Sequence, residues 1–529
     1  MNRWSALALL LAVAGALVLR CPRLDTRPLH NDEAVNAFKL AALWEEGEYT
    51  YDPHEFHGPT LYYASLPFCW LSSVRDARQL DDGKLRWVTV AFGVGLILLL
   101  PLLADGLGRL ATAWAAIFLA VSPAMVFYSR YFIHEMLLVF FTLLTIVAGW
   151  RSAQTRKPFW VILAGVGLGL MYATKETFVF SVGALGAAAA ATLAWNRWRA
   201  QRSALATGRE ATPRVKVERA WNWKRIALVL AVAGVVSQVL FSSFFTNARG
   251  PLDSVLTYLP WIKRAGGDSP HIHPWYFYFE RLLWFHPRNS PVWSEGLILL
   301  LAAIGAIAAF FSNRVILPKP GLARFLAFYT VLVTVIYTVI AYKTPWCLMN
   351  FWCGMILLAG VGAAVLLRLC QNRLARALFM VVLVLGTTHL AWQARQLSQT
   401  YAASRNNPYV YAQTCPDVRR LVERVEAITR VAPTGPDTVI KVMAPESYWP
   451  LPWYLRAFKQ IGWWEQLPAD PYAPIMIVAA KQRAALDEKS QKAYLMTGLF
   501  ELRPGTFLEL YVELELWKQF VATLPRDRE

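Results

Sequence analysis

Apolar stretches recur along the first three quarters of the chain, near positions 4–20, 85–104, 110–127, 132–150, 159–173, 177–195, 226–245, 293–312, 325–342, 347–367 and 377–393. Each runs to about 15 to 20 residues, roughly long enough to cross a hydrocarbon core of about 30 Å as a helix. The pattern predicts about eleven transmembrane helices. Leu61 to Ser73 is apolar too, but it is short and interrupted by Pro67, which suits a helix lying in the interface or re-entering. After about residue 395 the periodicity changes. Asp417 to Arg430 reads as an amphipathic helix, and Thr438 to Met443, Pro474 to Ala480 and Phe507 to Leu516 read as strands. The predicted fold is an α-helical polytopic membrane protein, with residues 1–395 as the transmembrane domain and 396–529 as a small α/β domain.

Composition agrees: 56% of the 529 residues are hydrophobic and only 17% are charged, too apolar for one soluble core. Positive charge sets the orientation, because short loops rich in Lys and Arg stay in the cytoplasm. Arg151, Arg156 and Lys157, the basic loop 196–225, Arg314, Lys319 and Arg324, and Arg368, Arg373 and Arg376 all fall on one side when eleven helices are threaded in order. Loops 21–84 and 246–292 and the C-terminal domain then lie outside the cytoplasm. The net charge of +18 follows from this topology and from contact with anionic membrane lipids, with no need for nucleic acid. The first run could instead be a signal peptide, with Ala14-Gly15-Ala16 as a cleavage site, without altering the later loops. Six scattered cysteines carry no Cys-x-x-Cys spacing; Cys21, Cys69 and Cys415 face the oxidising side, paired or unpaired. Gly165, Gly167 and Gly169 lie within an apolar run, where glycines serve close helix packing rather than nucleotide binding.

Unusual polar residues gather on the outer side. They are His30-Asn31-Asp32-Glu33, His57-Gly58-Pro59, Tyr128-Ser129-Arg130, His134-Glu135, Thr174-Lys175-Glu176, His271-Ile272-His273-Pro274-Trp275 and Lys343-Thr344-Pro345-Trp346. Ionisable groups at membrane helix ends are costly unless they pair or serve a site, and several loops offering them on one face suggest a shared cavity. Asp32 and Glu33 are the sharpest pair: one carboxylate can face a cavity as a general base while the other orients it or binds substrate. Asp32 could equally cap a helix running from Ala34 to Trp44. Arg130, Lys175 and Lys343 are the outer-face cations at helix ends. His271 and His273 suit hydrogen bonding to substrate, or two ligands of a divalent metal, although no carboxylate cage accompanies them. Trp275 opens an aromatic run suited to an interfacial belt or to stacking on a sugar.

These motifs, with a short first helix, a long outer loop and a C-terminal domain outside the cytoplasm, resemble the glycosyltransferase C superfamily, which includes protein O-mannosyltransferases and lipid A aminoarabinose transferases. The likeness is nearest to the flippase-activity-associated branch, similar to components of archaeal N-glycosylation. The resemblance implies an enzyme of the inner cell membrane with its active site facing outside. It would move a sugar, with inversion, from a polyprenyl-phosphate donor to a hydroxyl on a lipid, glycan or protein acceptor. Asp32 matches the family base. Arg130, Lys175 and Lys343 would hold the donor phosphate. His30, His57, His134, Glu135, Glu176, His271, His273 and Trp275 would contact substrate, and no cofactor is required. A lipid-linked sugar flippase or a noncatalytic member of a glycosylation complex are the alternatives. The threading predicts that engineered cysteines in the Asp32 loop and beyond residue 395 both react with an impermeant thiol reagent added from outside; protection of either one would refute it.

Overall fold

The computed structural model describes residues 3–54, 57–207, 222–265, 271–311, 317–445, 448–482 and 494–524. Each apolar run of the sequence is helical. Seven helices among the described residues have the length and apolarity to cross a membrane, and a bent pair, Arg109–Val121 with Pro123–Ser129, makes an eighth. Three more, Ser5–Arg20, Pro158–Tyr172 and Gly296–Phe311, are apolar but shorter. The structure therefore supports seven or eight spans by length alone, fewer than the eleven predicted. The bend of 57° has a local cause. Pro123 bars the helical conformation at Ser122, whose ψ is 120°, and Ser122 instead caps the second piece by accepting from the Met125 amide at 3.4 Å.

The most enclosed helix, Met349–Leu369, is packed through glycines. An added Cβ on Gly305 would overlap the Leu358 carbonyl oxygen, one on Gly362 that of Leu301, and one on Gly360 that of Ala111. The Gly165–Gly169 series works the same way. Gly165 and Gly169 admit Val229, Val232 and Ala233 of helix Trp223–Phe241, and Gly167 admits Thr145 of helix Glu135–Thr155. Helices Phe178–Ser203 and Arg373–Ser398 instead leave most of their apolar surface exposed, as contact with lipid requires. The first helix belongs to this bundle. Ala12 and Ala16 are buried in the core, and Arg20 donates to Ser129 Oγ at 3.0 Å and to the Ala120 and Leu119 carbonyls at 2.7 and 2.8 Å. All six cysteines are free.

Two expectations are revised. Helix Phe178–Thr207 continues into the predicted basic loop 196–225, because Asn196 to Thr207 contains good helix formers and no proline; 208–221 lie outside the described residues. The segment 246–292, predicted as a loop, holds three short helices among its described residues, Gly250–Leu256, Tyr258–Ala265 and Phe277–Leu283.

Beyond Ser398 an irregular segment leads to helix Asp417–Thr429 and a five-stranded sheet. The strands are β1 Ile440–Met443, β2 Ile461–Trp464, β3 Ile475–Ala479, β4 Tyr494–Arg503 and β5 Thr506–Glu513, in the order β2-β1-β3-β5-β4. β1 pairs in parallel with β2 and β3, and β5 runs antiparallel to β3 and β4. The helix buries Val418, Leu421, Val425 and Ile428 against the sheet, the stripe its periodicity predicted. Sequence pattern missed the edge strands β2 and β4. β2 has no fully buried position and β4 is mostly open, so neither carries a strong alternation. The last predicted strand overran: it stops at Glu513, where helix Leu514–Ala522 starts.

Gly362→Ala is expected to lower stability by about 1–3 kcal/mol, because the added methyl must push two helix backbones apart. Thermal unfolding in detergent measures it. Gly183→Ala, on an exposed helix face with open space around it, is the control and should not destabilise.

Candidate functional site

The helix carrying Asp32 and Glu33 starts at Asn31, and its cap is His30. The His30 ring accepts from the Asp32 amide at 3.1 Å while Glu33 Oε2 accepts from the His30 amide at 2.9 Å, a capping box. Asp32 is therefore not the cap, and its side chain is 47% exposed.

Glu33 is 0% exposed, and both of its oxygens are occupied. Oε1 accepts from Arg86 Nε and from the Phe132 amide, each at 2.8 Å. Oε2 accepts from Arg86 Nη2 at 2.9 Å and lies 3.0 Å from Arg27 Nη2. Arg86 spends its remaining donors on the carbonyls of Leu24, Arg27 and Pro28 at 2.6, 2.8 and 3.3 Å. Burial alone would raise the Glu33 carboxyl, but Arg27 and Arg86 overrule it and hold it at about 2, against an ordinary 4.5. The expected second catalytic carboxylate is thus enclosed by guanidinium and amide donors with no face left for substrate. It positions the loop instead.

The side chains around Asp32 form the candidate cleft: its carboxylate lies 3.8 Å from His30 Nδ1 and within electrostatic reach of Tyr131, His271 and Tyr342. The His30 ring lies 5.8 Å from Tyr131 and 5.6 Å from Trp346. His271 and Tyr342 belong to a two-stranded crossing. Ile272 pairs with Tyr342, the His273 amide donates to the Ala341 carbonyl at 3.0 Å, and the Lys343 amide donates to that of His271 at 2.8 Å. His271 Nδ1 and His273 Nε2 lie 2.7 and 3.2 Å from one atom, the Tyr411 hydroxyl. Burial lowers the pKa of His30, His271 and His273, so their rings are neutral at pH 7. They offer hydrogen bonds rather than charge.

A second polar cluster adjoins the first, since Tyr342 is within reach of Lys175. Lys175 pairs with Glu135, and His57 Nδ1 meets Glu176 Oε2 at 2.7 Å. His57 lies between the His134 ring, centroid at 5.2 Å, and Trp261, stacked at 5.4 Å. Gly58 explains its own motif. Its amide donates to the Thr174 carbonyl at 3.1 Å, and a Cβ there would overlap the Ala173 carbonyl. The other residue of this join is His134, whose Nε2 lies 3.0 Å from the Gly58 carbonyl.

The predicted phosphate cations divide. Arg130 is 6% exposed and donates to the carbonyls of Arg20, Pro22 and Arg23 at 2.6, 2.7 and 2.7 Å. These bonds staple the end of the first helix to the segment that follows it, so that backbone carbonyls take the donors that sequence had assigned to the donor phosphate. Lys343 reaches the carbonyls of His273 at 3.1 Å and of Ile340, beside the histidine wall. Sequence reasoning missed Arg281. Its guanidinium lies 3.5 Å over the Phe277 ring, donates once to the Phe277 carbonyl at 3.0 Å, and leaves Nε buried without a partner. His273 lies within electrostatic reach of two cations, Arg281 and Lys343, and of His271. Arg281 follows Glu280, whose Oε2 lies 3.8 Å from its Nη1, so in sequence it reads as half of a surface ion pair and in the structure it keeps that partner as well. Trp275 is 67% exposed and stands outside the cleft, whereas Phe277 and Tyr278 of the same run are buried. Among the described residues no group of three or more His, Cys, Asp or Glu side chains could hold a metal ion, and His271 and His273 converge on a tyrosine instead.

The family model for dolichyl-phosphate-mannose-protein mannosyltransferase matches residues 64–247, a stretch that includes His134, Glu135, Lys175 and Glu176 but not Asp32. No curated protein sequence matches the chain. Among solved structures, ArnT from Cupriavidus metallidurans in the apo state superposes with a TM-score of 0.60 at 13% identity, covering 97% of this chain and 98% of that one. The same protein bound to undecaprenyl phosphate gives 0.56 at 14% identity over the same shares. The archaeal oligosaccharyltransferase AglB from Archaeoglobus fulgidus, in complex with an inhibitory peptide and a dolichol-phosphate, gives 0.52 at 11% identity, covering 91% of this chain and 70% of that one. The chain therefore shares the overall fold of these proteins.

Removing the Glu33 charge leaves Arg27 and Arg86 buried and uncompensated, so Glu33→Gln should cost about 3–5 kcal/mol of stability while Asp32→Asn costs almost none. Because the folded carboxyl titrates at about 2 and the unfolded one near 4.5, the wild-type stabilisation is complete above the higher value and fades as pH falls toward the lower. Denaturation midpoints between pH 7 and pH 3 should show that decline in wild type and its loss in Glu33→Gln.

Proposed function

We propose that the chain is a multi-pass membrane glycosyltransferase that moves a sugar, with inversion, from a polyprenyl-phosphate donor to an acceptor hydroxyl at the outer membrane face. The observation that carries this reading is the exposure of Asp32. It is a half-exposed carboxylate within reach of the His30 and His271 imidazoles, with Arg281 and Lys343 in turn within reach of His273, in a fold whose solved relatives include one bound to undecaprenyl phosphate.

Asp32 takes the acceptor's proton as the hydroxyl oxygen attacks the anomeric carbon. The bond from that carbon to the phosphate oxygen breaks on the opposite side, which inverts the centre. The departing lipid phosphate gains charge as the bond opens, and fixed cations in a water-poor cleft stabilise that charge without reorganising. Arg281 and Lys343 suit this task best, and Lys175 completes the set from beside Glu135. His30, His271 and His273 hydrogen-bond sugar or acceptor hydroxyls; His57, His134 and Glu176 line the adjoining subsite. The eleven helices cross the membrane in order, the three shorter ones included, with the cleft and C-terminal sheet outside. Polar groups concentrated at helix ends favour this over a flippase, which would place them near the bilayer midplane.

Asp32→Asn is expected to reduce transfer by about 10²–10⁴-fold with donor binding retained, because Asn keeps the shape but cannot accept the proton. Arg281→Gln and Lys343→Gln should raise the donor KM, whereas Arg130→Gln should act on stability. The assay is transfer of radiolabelled sugar from a panel of polyprenyl-phosphate sugars by purified protein in nanodiscs. Full activity of Asp32→Asn at saturating donor would remove the proposed base.

A further inference from the structure

Two histidines from one outer loop converge on a hydroxyl from a distant part of the chain. Tyr411 belongs to the segment joining the last long helix, Arg373–Ser398, to the C-terminal sheet. That segment is pinned on both sides of Tyr411. Before it, the Tyr409 hydroxyl donates to Glu295 Oε1 at 2.5 Å, Tyr128 donates to the Tyr409 carbonyl at 2.9 Å, and Trp293 Nε1 donates to the Asn406 carbonyl at 2.6 Å. After it, Thr414 Oγ1 donates to the Leu29 carbonyl at 2.7 Å. Leu29 immediately precedes the His30 cap, and its amide donates to the Tyr454 hydroxyl at 2.7 Å. Tyr454 in turn donates to Asp82 at 2.7 Å, and Arg419 lies 2.7 Å from the same oxygen. The C-terminal part of the chain thus grips the Asp32 loop and reaches the histidine wall.

An imidazole rotates about two side-chain bonds, and a neutral one must present the right nitrogen to a substrate hydroxyl. His273 is stacked on Phe277 at 4.1 Å, which fixes its plane, and His271 packs on Tyr342 at 4.9 Å. The contact common to both is the Tyr411 hydroxyl. The Tyr411 ring also meets Trp346 at 6.1 Å, on the side of the cleft where His30 sits.

We propose that Tyr411 is a positioning residue of the cleft: delivered by the segment leading to the C-terminal domain, its hydroxyl sets the orientation in which His271 and His273 meet the hydroxyl groups of the sugar and acceptor. The C-terminal domain is then a working part of the active site. This inference rests on the transferase reading above, yet its first test does not use activity.

Tyr411→Phe keeps the ring and its packing and removes one oxygen. Full-length protein in nanodiscs, without substrate, is treated with diethyl pyrocarbonate, and modified histidines are mapped by mass spectrometry. Freed from the hydroxyl, His271 and His273 should react several-fold faster in the variant, while the exposed His54 and His286 keep their wild-type rates. Tyr128→Phe removes a hydroxyl bond to the same segment without touching either histidine. It should leave both rates as in wild type, which separates positioning from a general loosening. In the transfer assay Tyr411→Phe should lower kcat by about 10- to 100-fold, the scale of a small misplacement near the reacting groups, with the donor KM within about twofold. Unchanged labelling of both histidines overturns the proposal, as does a donor KM that rises in step with the fall in kcat/KM. A wild-type protein that transfers no sugar overturns the transferase reading, and the labelling still decides whether Tyr411 holds the histidines.

Discussion

Everything at the outer end of this protein hangs on one buried carboxylate. Glu33 joins the start of its own helix, the preceding loop through Arg27, helix Asp82–Leu99 through Arg86, and the turn after the bent helix pair through the Phe132 amide. Taking one carboxylate and two guanidinium groups out of water is expensive, and Coulomb attraction alone seldom repays it. Here the repayment is shared with backbone. Arg86 and Arg130 between them satisfy carbonyls from residue 20 to residue 28, a stretch with no regular structure to satisfy them otherwise. The arginines act as a substitute scaffold for an irregular loop, and Glu33 is the counter-charge that lets two of them stay buried.

That arrangement explains why neighbouring carboxylates end in different environments. Successive residues on a helix point about 100° apart, so when Glu33 turns inward to cap and pair, Asp32 turns away from it and stays half-exposed. The dipeptide Asp-Glu thus ends as one half-exposed and one buried carboxylate. What pattern alone left open is which partner faces substrate and what the other does. Arg86 decides it, and Arg86 is an unremarked cation at the start of an apolar run, 53 positions from Glu33.

The same limit runs through the rest of the site. Helices, the amphipathic stripe of Asp417–Thr429 and the clustering of polar motifs were legible because each is a local periodicity or a local departure from apolarity. Gly58, Tyr411 and Arg281 were not. Gly58 is needed because two backbones touch, and Tyr411 matters because a connecting segment is pinned across the cleft. Arg281 and Arg130 show the converse: both are arginines of the same predicted face in sequence, but Arg130 spends its donors on backbone carbonyls, whereas Arg281 has one carbonyl, a looser ion pair with Glu280 and a buried Nε without a hydrogen bond. Charge type can be read from sequence; whether a charge is already spoken for cannot.

On the proposed transferase reading, the cleft faces opposing demands from a lipid-linked donor and a polar acceptor. Strong phosphate stabilisation wants a dry, cationic wall, whereas the general base must stay ionised and reachable by a hydroxyl from outside. The protein separates these demands in space and by origin. Arg281 lies half-buried on the short helix Phe277–Leu283 and Lys343 buried in the turn after helix Pro320–Val339, and Asp32 is left half-exposed at the helix start beside Leu29, which the C-terminal part of the chain grips through Thr414 and Tyr454. Between them stand neutral imidazoles, which bridge the two sides by hydrogen bonding without adding a charge that would drain the base or compete for the phosphate. A charged residue at His271 or His273 would disturb one side or the other, so neutrality there is as much a part of the design as the charges it separates.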